Sequence, residues 1–228
     1  MKKIFLLTLL LALFCFQANI INAEVKVLFD EENDFLKIAA FGFTAGCNAE
    51  IVKNDVFHGN MAIRVNTPIL GNCQAYKEQI PDWKFAIKEK PGKGEYRYLT
   101  FAWKTVGQVG IMIQFPDNGA WGANPGPCVE PPISKGTRRY IDGKNETGWG
   151  GICIDKNPPK EWRVYTRDLF EDFGEFVMTG MALTPFGTDH ALYDYLMLAS
   201  SIDEFPKLAV VSSAEVITTT WANVKRQY

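Results

Sequence analysis

The stretch EYRYLTFAWK, residues 95–104, followed closely by QVGIMIQF, residues 108–115, decides the fold. Leu99, Phe101 and Trp103 fall on one side of a period-two ladder, and Tyr96, Tyr98, Thr100 and Lys104 on the other. Side chains along a strand alternate between faces, so this pattern predicts a strand with one buried face. Val109, Ile111, Ile113 and Phe115 repeat it, and Val106-Gly107 between the two runs suits a short hairpin turn. The same reading extends outward to EVKVLFD (24–30), NMAIRVN (60–66), WKFAIKE (83–89), EWRVYTR (161–167), EFVMTGMALTPF (175–186) and HALYDYLML (190–198). Turn residues separate these runs at fairly regular intervals. Helical signals are few. RDLFEDFG (167–174) reads as one helical turn with Asp168 as N-cap and Gly174 as stop. Residues 214–227 read as a short terminal helix carrying Ile217, Trp221 and Val224 on one side. Many short strands with one-sided apolar alternation predict an all-β chain, an antiparallel jelly-roll β-sandwich with little helix. It is placed over residues 24–205, with 206–228 as a C-terminal tail.

The first 23 residues, MKKIFLLTLLLALFCFQANIINA, carry two lysines, an apolar run and a small residue at Ala23. That is the pattern of a secretory signal peptide. The unbroken apolar core, Ile4 to Phe16, is shorter than the roughly 20 residues that span a bilayer. A secreted or periplasmic protein is therefore expected, with no membrane span after cleavage. The net charge of −2 and pI near 5.8 give no electrostatic footprint for a nucleic-acid partner. Four cysteines follow the signal: Cys47, Cys73, Cys128 and Cys153. An even set in an exported chain reads as two disulfides, for which three connectivities exist. Cys47–Cys73 with Cys128–Cys153 is preferred because each bond closes one local loop.

GEYRYLTFAWK (94–104) and EWRVYTRDLFEDFGEFVMTGMALTP (161–185), with GIMIQFPDNGAWG and HALYDYLML, resemble a β-sandwich domain family common in large secreted bacterial proteins. The resemblance runs from about Pro81 to Leu198. It implies the galactose-binding-like jelly roll shared with many carbohydrate-binding modules. It implies no activity, and fold alone does not give function.

The candidate ligand site follows from what sugars require. A sugar's C–H face stacks on an aromatic ring while its hydroxyls seek hydrogen bonds. Trp103 alternates with Leu99 and Phe101 and reads as core, and Trp162 shares a face with Val164. Trp121 in DNGAWGANPG and Trp149 in ETGWGG lie among glycines and polar residues and are the platform candidates. Tyr140, Arg138 and Arg139 in TRRYIDG are candidates to line the same surface. The longest stretch without strand signals, residues 116–136, holds Trp121 and is expected to be tied down by Cys128. Asp168, Glu171 and Asp172 read as residues that cap and solvate a helical turn.

The reading is an exported non-catalytic binding module for glycan or another extracytoplasmic ligand. Its rivals are a cell-surface structural or protein-interaction module and a hydrolase on a lectin-like sandwich. No nucleophile elbow, zinc motif, P-loop or dinucleotide fingerprint is present. Asp194 raises a separate question, because it shares a face of the ladder with Leu192, Leu196 and Leu198. A carboxylate buried without a partner costs several kcal/mol or stays protonated. Three resolutions are open: a β-bulge that turns it outward, a partner in the core (an arginine, for which Arg64 is one candidate, or hydrogen bonds), or a cation. In carbohydrate-binding modules of the resembled architecture a structural calcium often joins the first and last strands. Asp30, Glu31, Asp34 and Asp194 are the acidic side chains available for it.

Overall fold

Residues 98–115 form one strand rather than a hairpin. The computed structural model describes residues 25–31, 34–43, 45–124 and 126–208; the signal segment and residues 214–227 lie outside them. In chain order the elements are β1 (Lys26–Phe29), α1 (Asp34–Ile38), β2 (Ala40–Phe43), β3 (Asn48–Val52), β4 (Ala62–Lys77), β5 (Phe85–Ile87), β6 (Glu95–Tyr96), β7 (Tyr98–Phe115), β8 (Arg138–Gly143), β9 (Ile152–Asp155), β10 (Arg163–Asp168), α2 (Leu169–Phe173), β11 (Phe176–Met178) and β12 (Met181–Ala199). One nine-stranded sheet runs β2-β4-β12-β7-β8-β9, with β1, β3 and β10 pairing on β12, β4 and β7; β11, β5 and β6 make a smaller sheet.

Three strands, β4, β7 and β12, are about three times the usual length, and each changes its outer neighbour half-way. β4 pairs β3 over residues 62–66 and β2 over residues 73–76. β7 pairs β10 over residues 98–103 and β8 over residues 110–115. The two halves fold back on each other. Tyr140 pairs Ile113, yet its ring lies 5.8 Å from Phe101, on the other half of the same strand. A straight strand would separate residues 101 and 113 by about 40 Å at ~3.3 Å per residue. The bend falls on glycine in all three strands. Gly71 pairs Gly187, Gly187 pairs Gln108, and the ladder shifts register there. Gly107 has φ +68° and Gly187 φ +120°, conformations that side chains with a Cβ rarely adopt. Hence Val106-Gly107 is a bulge at a sandwich corner, which turns the chain without ending the strand. The runs at 175–186 and 190–198 change in the same way: β11 is separate, and β12 continues through Gly187.

The inner faces form one core. Leu99, Phe101, Trp103, Ile111, Ile113, Phe115, Tyr140, Leu183 and Leu196 all belong to it. Trp103 is fully buried as the alternation predicts. Trp162 is half-buried and joins a second cluster with Tyr195, Met197 and Phe57 on the outer face of the other half. The architecture is the antiparallel jelly-roll sandwich, and both disulfides are those preferred above, Cys47–Cys73 and Cys128–Cys153.

The Asp194 question resolves through a bulge plus hydrogen bonds. The register of β12 against β7 shifts between Asp194 and Met197, and Tyr195 has φ +54°. The shift reverses the alternation, so Tyr193, Leu196 and Leu198 reach the main core while Asp194 faces the other side. There Asp194 is fully buried under the turn at 57–60. Its Oδ2 accepts from Phe57 N at 2.8 Å and His58 N at 3.0 Å, and its Oδ1 from Tyr195 N at 2.7 Å. Burial pushes the carboxyl up to about 7, and those three N–H donors restrain the rise. Arg64 is not its partner; that guanidinium lies against Asn66 and Glu50.

Asp142 is a second buried carboxyl, between the layers. Its Oδ2 accepts from Trp103 Nε1 and Tyr165 OH, both at 2.9 Å, and Arg163 lies 3.4 Å away. Its Oδ1 has no hydrogen-bond partner. Desolvation dominates and pushes the carboxyl from 3.8 up to about 7. The folded chain therefore holds a proton that the unfolded chain releases. The contribution of this group to stability is present below the unfolded value and is lost as pH rises through about 7. Asp142→Asn, which cannot ionise, is expected to flatten that part of the stability profile. Melting temperatures from pH 4 to 8 test this. Parallel profiles for wild type and variant would show that the carboxyl titrates at its ordinary value.

Candidate binding cleft

The outer face of the β2-β4-β12-β7-β8 half carries a different set of side chains from the core. Tyr76, Ala182, Gln114 and Arg139 lie in register across four strands, and Gln74, Thr184, Met112 and Ile141 form the next row. Two segments rise over this face, residues 116–136 and 144–151. They approach each other at Gly126 and Gly150 so closely that a Cβ on Gly126 would lie 2.3 Å from Gly150 Cα. The Cys128–Cys153 disulfide fixes the crossing. Asn145 Nδ2 donates to Pro127 O at 2.7 Å and Trp149 O at 2.8 Å, so its side chain helps to bind the two segments together. Gly122 packs against Gly136 with no room for a Cβ, and Gly122 N donates to Thr137 Oγ1 at 2.8 Å. Glycine is required at these crossings because the backbones meet directly.

The result is an open cleft of about 470 Å³, lined by Gln74, Tyr76, Gln114, Trp121, Gly122, Ala123, Arg139 and Trp149. Ligand sites span roughly 300–1,000 Å³. Trp121 and Trp149 are both half-buried. Trp121 meets Tyr76 edge-on at 6.4 Å, and the Arg139 guanidinium lies 5.7 Å from the Trp149 ring. Trp149 also rests against an apolar cluster of Met112, Ile141 and Phe186. Gln114 is held on both sides: its Nε2 donates to Thr184 Oγ1 at 2.8 Å, and its Oε1 accepts from Arg139 Nε at 2.6 Å. Arg139 further donates to Gly150 O and Gly122 O, one from each overlying segment. Desolvation draws its pKa down to about 10, so it stays charged at neutral pH.

Trp121, Trp149 and Arg139 thus share one cleft, while two of the expected ligand residues do not reach it. Tyr140 points inward and is fully buried, with its OH donating to Asp172 Oδ2 at 2.6 Å. Arg138 is also buried, on the opposite side of β8 from Arg139, and pairs with Asp117 at 3.1 Å. In a strand, neighbours alternate faces, so of Arg138-Arg139-Tyr140 only the middle residue can face the cleft. Three lining residues escaped the sequence reading: Tyr76, Gln74 and Gln114. By parity Gln114 falls on the face opposite Val109, Ile111, Ile113 and Phe115, a polar side chain on the outer side of its run, which is the signal that could have found it.

The acidic set is likewise divided. Asp168 caps α2 as expected, accepting from Phe170 N and Glu171 N, and Gly174 ends the turn. Asp172, by contrast, is buried in a bidentate pair with Arg167, at 2.7 and 2.8 Å. It does not solvate the turn. Asp34 pairs with Lys37 on the surface, and both Asp194 oxygens accept from backbone N–H groups. Asp30, Glu31 and His58 do converge within 4.8 Å. Glu31 accepts from Asn60 N at 2.6 Å and Asp30 bonds His58 Nδ1 at 3.0 Å, so both carboxylates hold the 57–60 turn alongside Asp194. Calcium takes six to eight oxygens. Of the four expected acidic residues only Asp30 and Glu31 belong to this convergent group, together with His58; Asp34 and Asp194 are not part of it.

No known family model and no curated protein matches the chain. Solved structures show a distant likeness. The Endo-D glycoside hydrolase domain from Streptococcus pneumoniae R6 aligns at 12% identity and TM-score 0.42, over 74% of this chain and 22% of that one. The family 11 carbohydrate-binding module of a cellulosomal cellulase of Clostridium thermocellum aligns at 12% identity and TM-score 0.42, over 78% and 95%. A family 22 carbohydrate-binding module from a Clostridium thermocellum xylanase aligns at 8% identity and TM-score 0.34, over 73% and 88%.

Proposed function

We propose that this is an exported, non-catalytic glycan-binding protein whose ligand lies in the cleft between Trp121 and Trp149. One observation carries the reading. Three aromatic side chains and three hydrogen-bonding side chains line a single open cleft on a rigid sheet face. Rings for the C–H faces beside fixed polar groups for the hydroxyls are what a sugar demands. The polar groups are held in place, since Gln114 is tied to Thr184 and Arg139, and Arg139 also to both overlying segments. Two disulfides and the leading segment support export. Among the described residues that line the cleft there is no carboxylate, and the usual glycoside hydrolysis needs two. Binding is the chemistry this cleft supports.

The test is a glycan array with the protein from residue 24 onward, followed by calorimetry on the best ligand. Trp121→Ala and Trp149→Ala are each expected to weaken binding by about 1–2 kcal/mol, the scale of an aromatic contact with its buried area. Circular dichroism should show both variants folded. Unchanged affinity in both would place the ligand elsewhere.

A further inference from the structure

Every described arginine but one has a carboxylate within ion-pair distance. Arg64 has Glu50, Arg97 has Asp168, Arg138 has Asp117, Arg163 has Asp155 and Arg167 has Asp172. Arg139 is the exception, and it is the one in the cleft. It is only 6% exposed, so water does not fully screen its charge. Its partners are neutral: Gln114 Oε1, Gly150 O and Gly122 O. These three bonds leave N–H donors of the guanidinium unused. Among the described residues that line the cleft there is no acidic side chain to offset the charge. A buried charge without a counter-charge is costly, and a neutral side chain would bridge the two segments without that cost. The arrangement becomes favourable when a ligand supplies the negative charge.

From this we infer that the cleft selects glycans bearing a carboxylate, with a uronate group seated against the Arg139 guanidinium while neighbouring sugar rings contact Trp121 and Trp149. The inference rests on the glycan-binding reading. A planar guanidinium matches a carboxylate in a two-bonded fork, and such charge-assisted bonds are about twice as strong as neutral ones. Salt should weaken the charged component and leave ring stacking largely untouched.

The experiment compares charge-matched pairs on the full exported chain. Oligomers of polygalacturonate, alginate and glucuronoxylan are each titrated against their methyl esters, and a sulfated galactan against its desulfated form. Tryptophan fluorescence and calorimetry report binding at low and high salt. At least one carboxylate form should bind about ten-fold tighter than its ester, with the preference shrinking at high salt. Arg139→Gln should abolish the preference, and Arg139→Lys should restore part of it. Should Arg139→Gln fail to fold, the salt dependence of the wild-type preference decides instead. Esters bound as tightly as acids would overturn the inference and leave the cleft reading intact. Discrimination confined to the sulfated pair would overturn the choice of carboxylate. Binding to no oligomer of the panel, by protein that binds a neutral glycan on the array, would overturn the inference and leave the glycan reading intact.

Discussion

Asp172→Ala is expected to lower the free energy of unfolding by about 4 kcal/mol, a large effect for one side chain. Asp172 is 2% exposed and accepts from Arg167 through both oxygens and from the Tyr140 hydroxyl. Removing it strands a guanidinium and a phenol in the core. The guanidinium also lies 5.2 Å from the Tyr140 ring, so it is enclosed on that side too. Burial raises the Asp172 carboxyl, while Arg167 and Tyr140 act against that rise. Replacing both ionic partners together, as Arg167→Met with Asp172→Leu, should recover most of the loss, because no unpaired charge remains. Urea unfolding of the wild type, the single variant and the double variant makes the comparison. A single-mutant loss below about 1 kcal/mol would mean that water reaches the pair.

The second large effect is removal of Cys128–Cys153. The bond closes a loop with a sequence separation of 25, worth about 3 kcal/mol by chain entropy. Replacing both cysteines with alanine should cost that much stability. It should also weaken ligand binding, because the bond holds Gly126 against Gly150 beside Trp149. Cys47–Cys73 closes a loop of similar length, separation 26, and neither of its cysteines belongs to the two overlying segments. Its removal should cost similar stability with little change in affinity. Equal losses of affinity in the two double variants would show that Cys128–Cys153 does not shape the cleft specifically.

The strand content of this chain was legible because period-two patterns such as Leu99-Phe101-Trp103 are local. Strand continuity was not. Gly107 and Gly187 carry the usual signature of turns, and only pairing with a common neighbour shows that β7 and β12 run through them. The side on which Asp194 lies depends on a register shift at Tyr195, a tertiary feature that alternation alone reads with the wrong sign. For the cleft, the two loop tryptophans were visible as rings among glycines and polar residues. Tyr140 was misplaced because aromatic and basic residues in TRRYIDG look alike in sequence, whereas pleating sends Arg139 one way and Tyr140 the other. Asp172 misled for a related reason. Its neighbours Asp168 and Glu171 behave as a cap and a solvated acid, and nothing local separates it from them.

Entry of ligand between Trp121 and Trp149 is tested most directly by the indole N–H resonances of the protein during titration with its best array ligand. The signals of Trp121 and Trp149 are expected to shift with a common affinity, while the buried Trp103 and the distant Trp162 stay in place. Saturable binding that leaves both cleft tryptophans unmoved would contradict the cleft as the binding site.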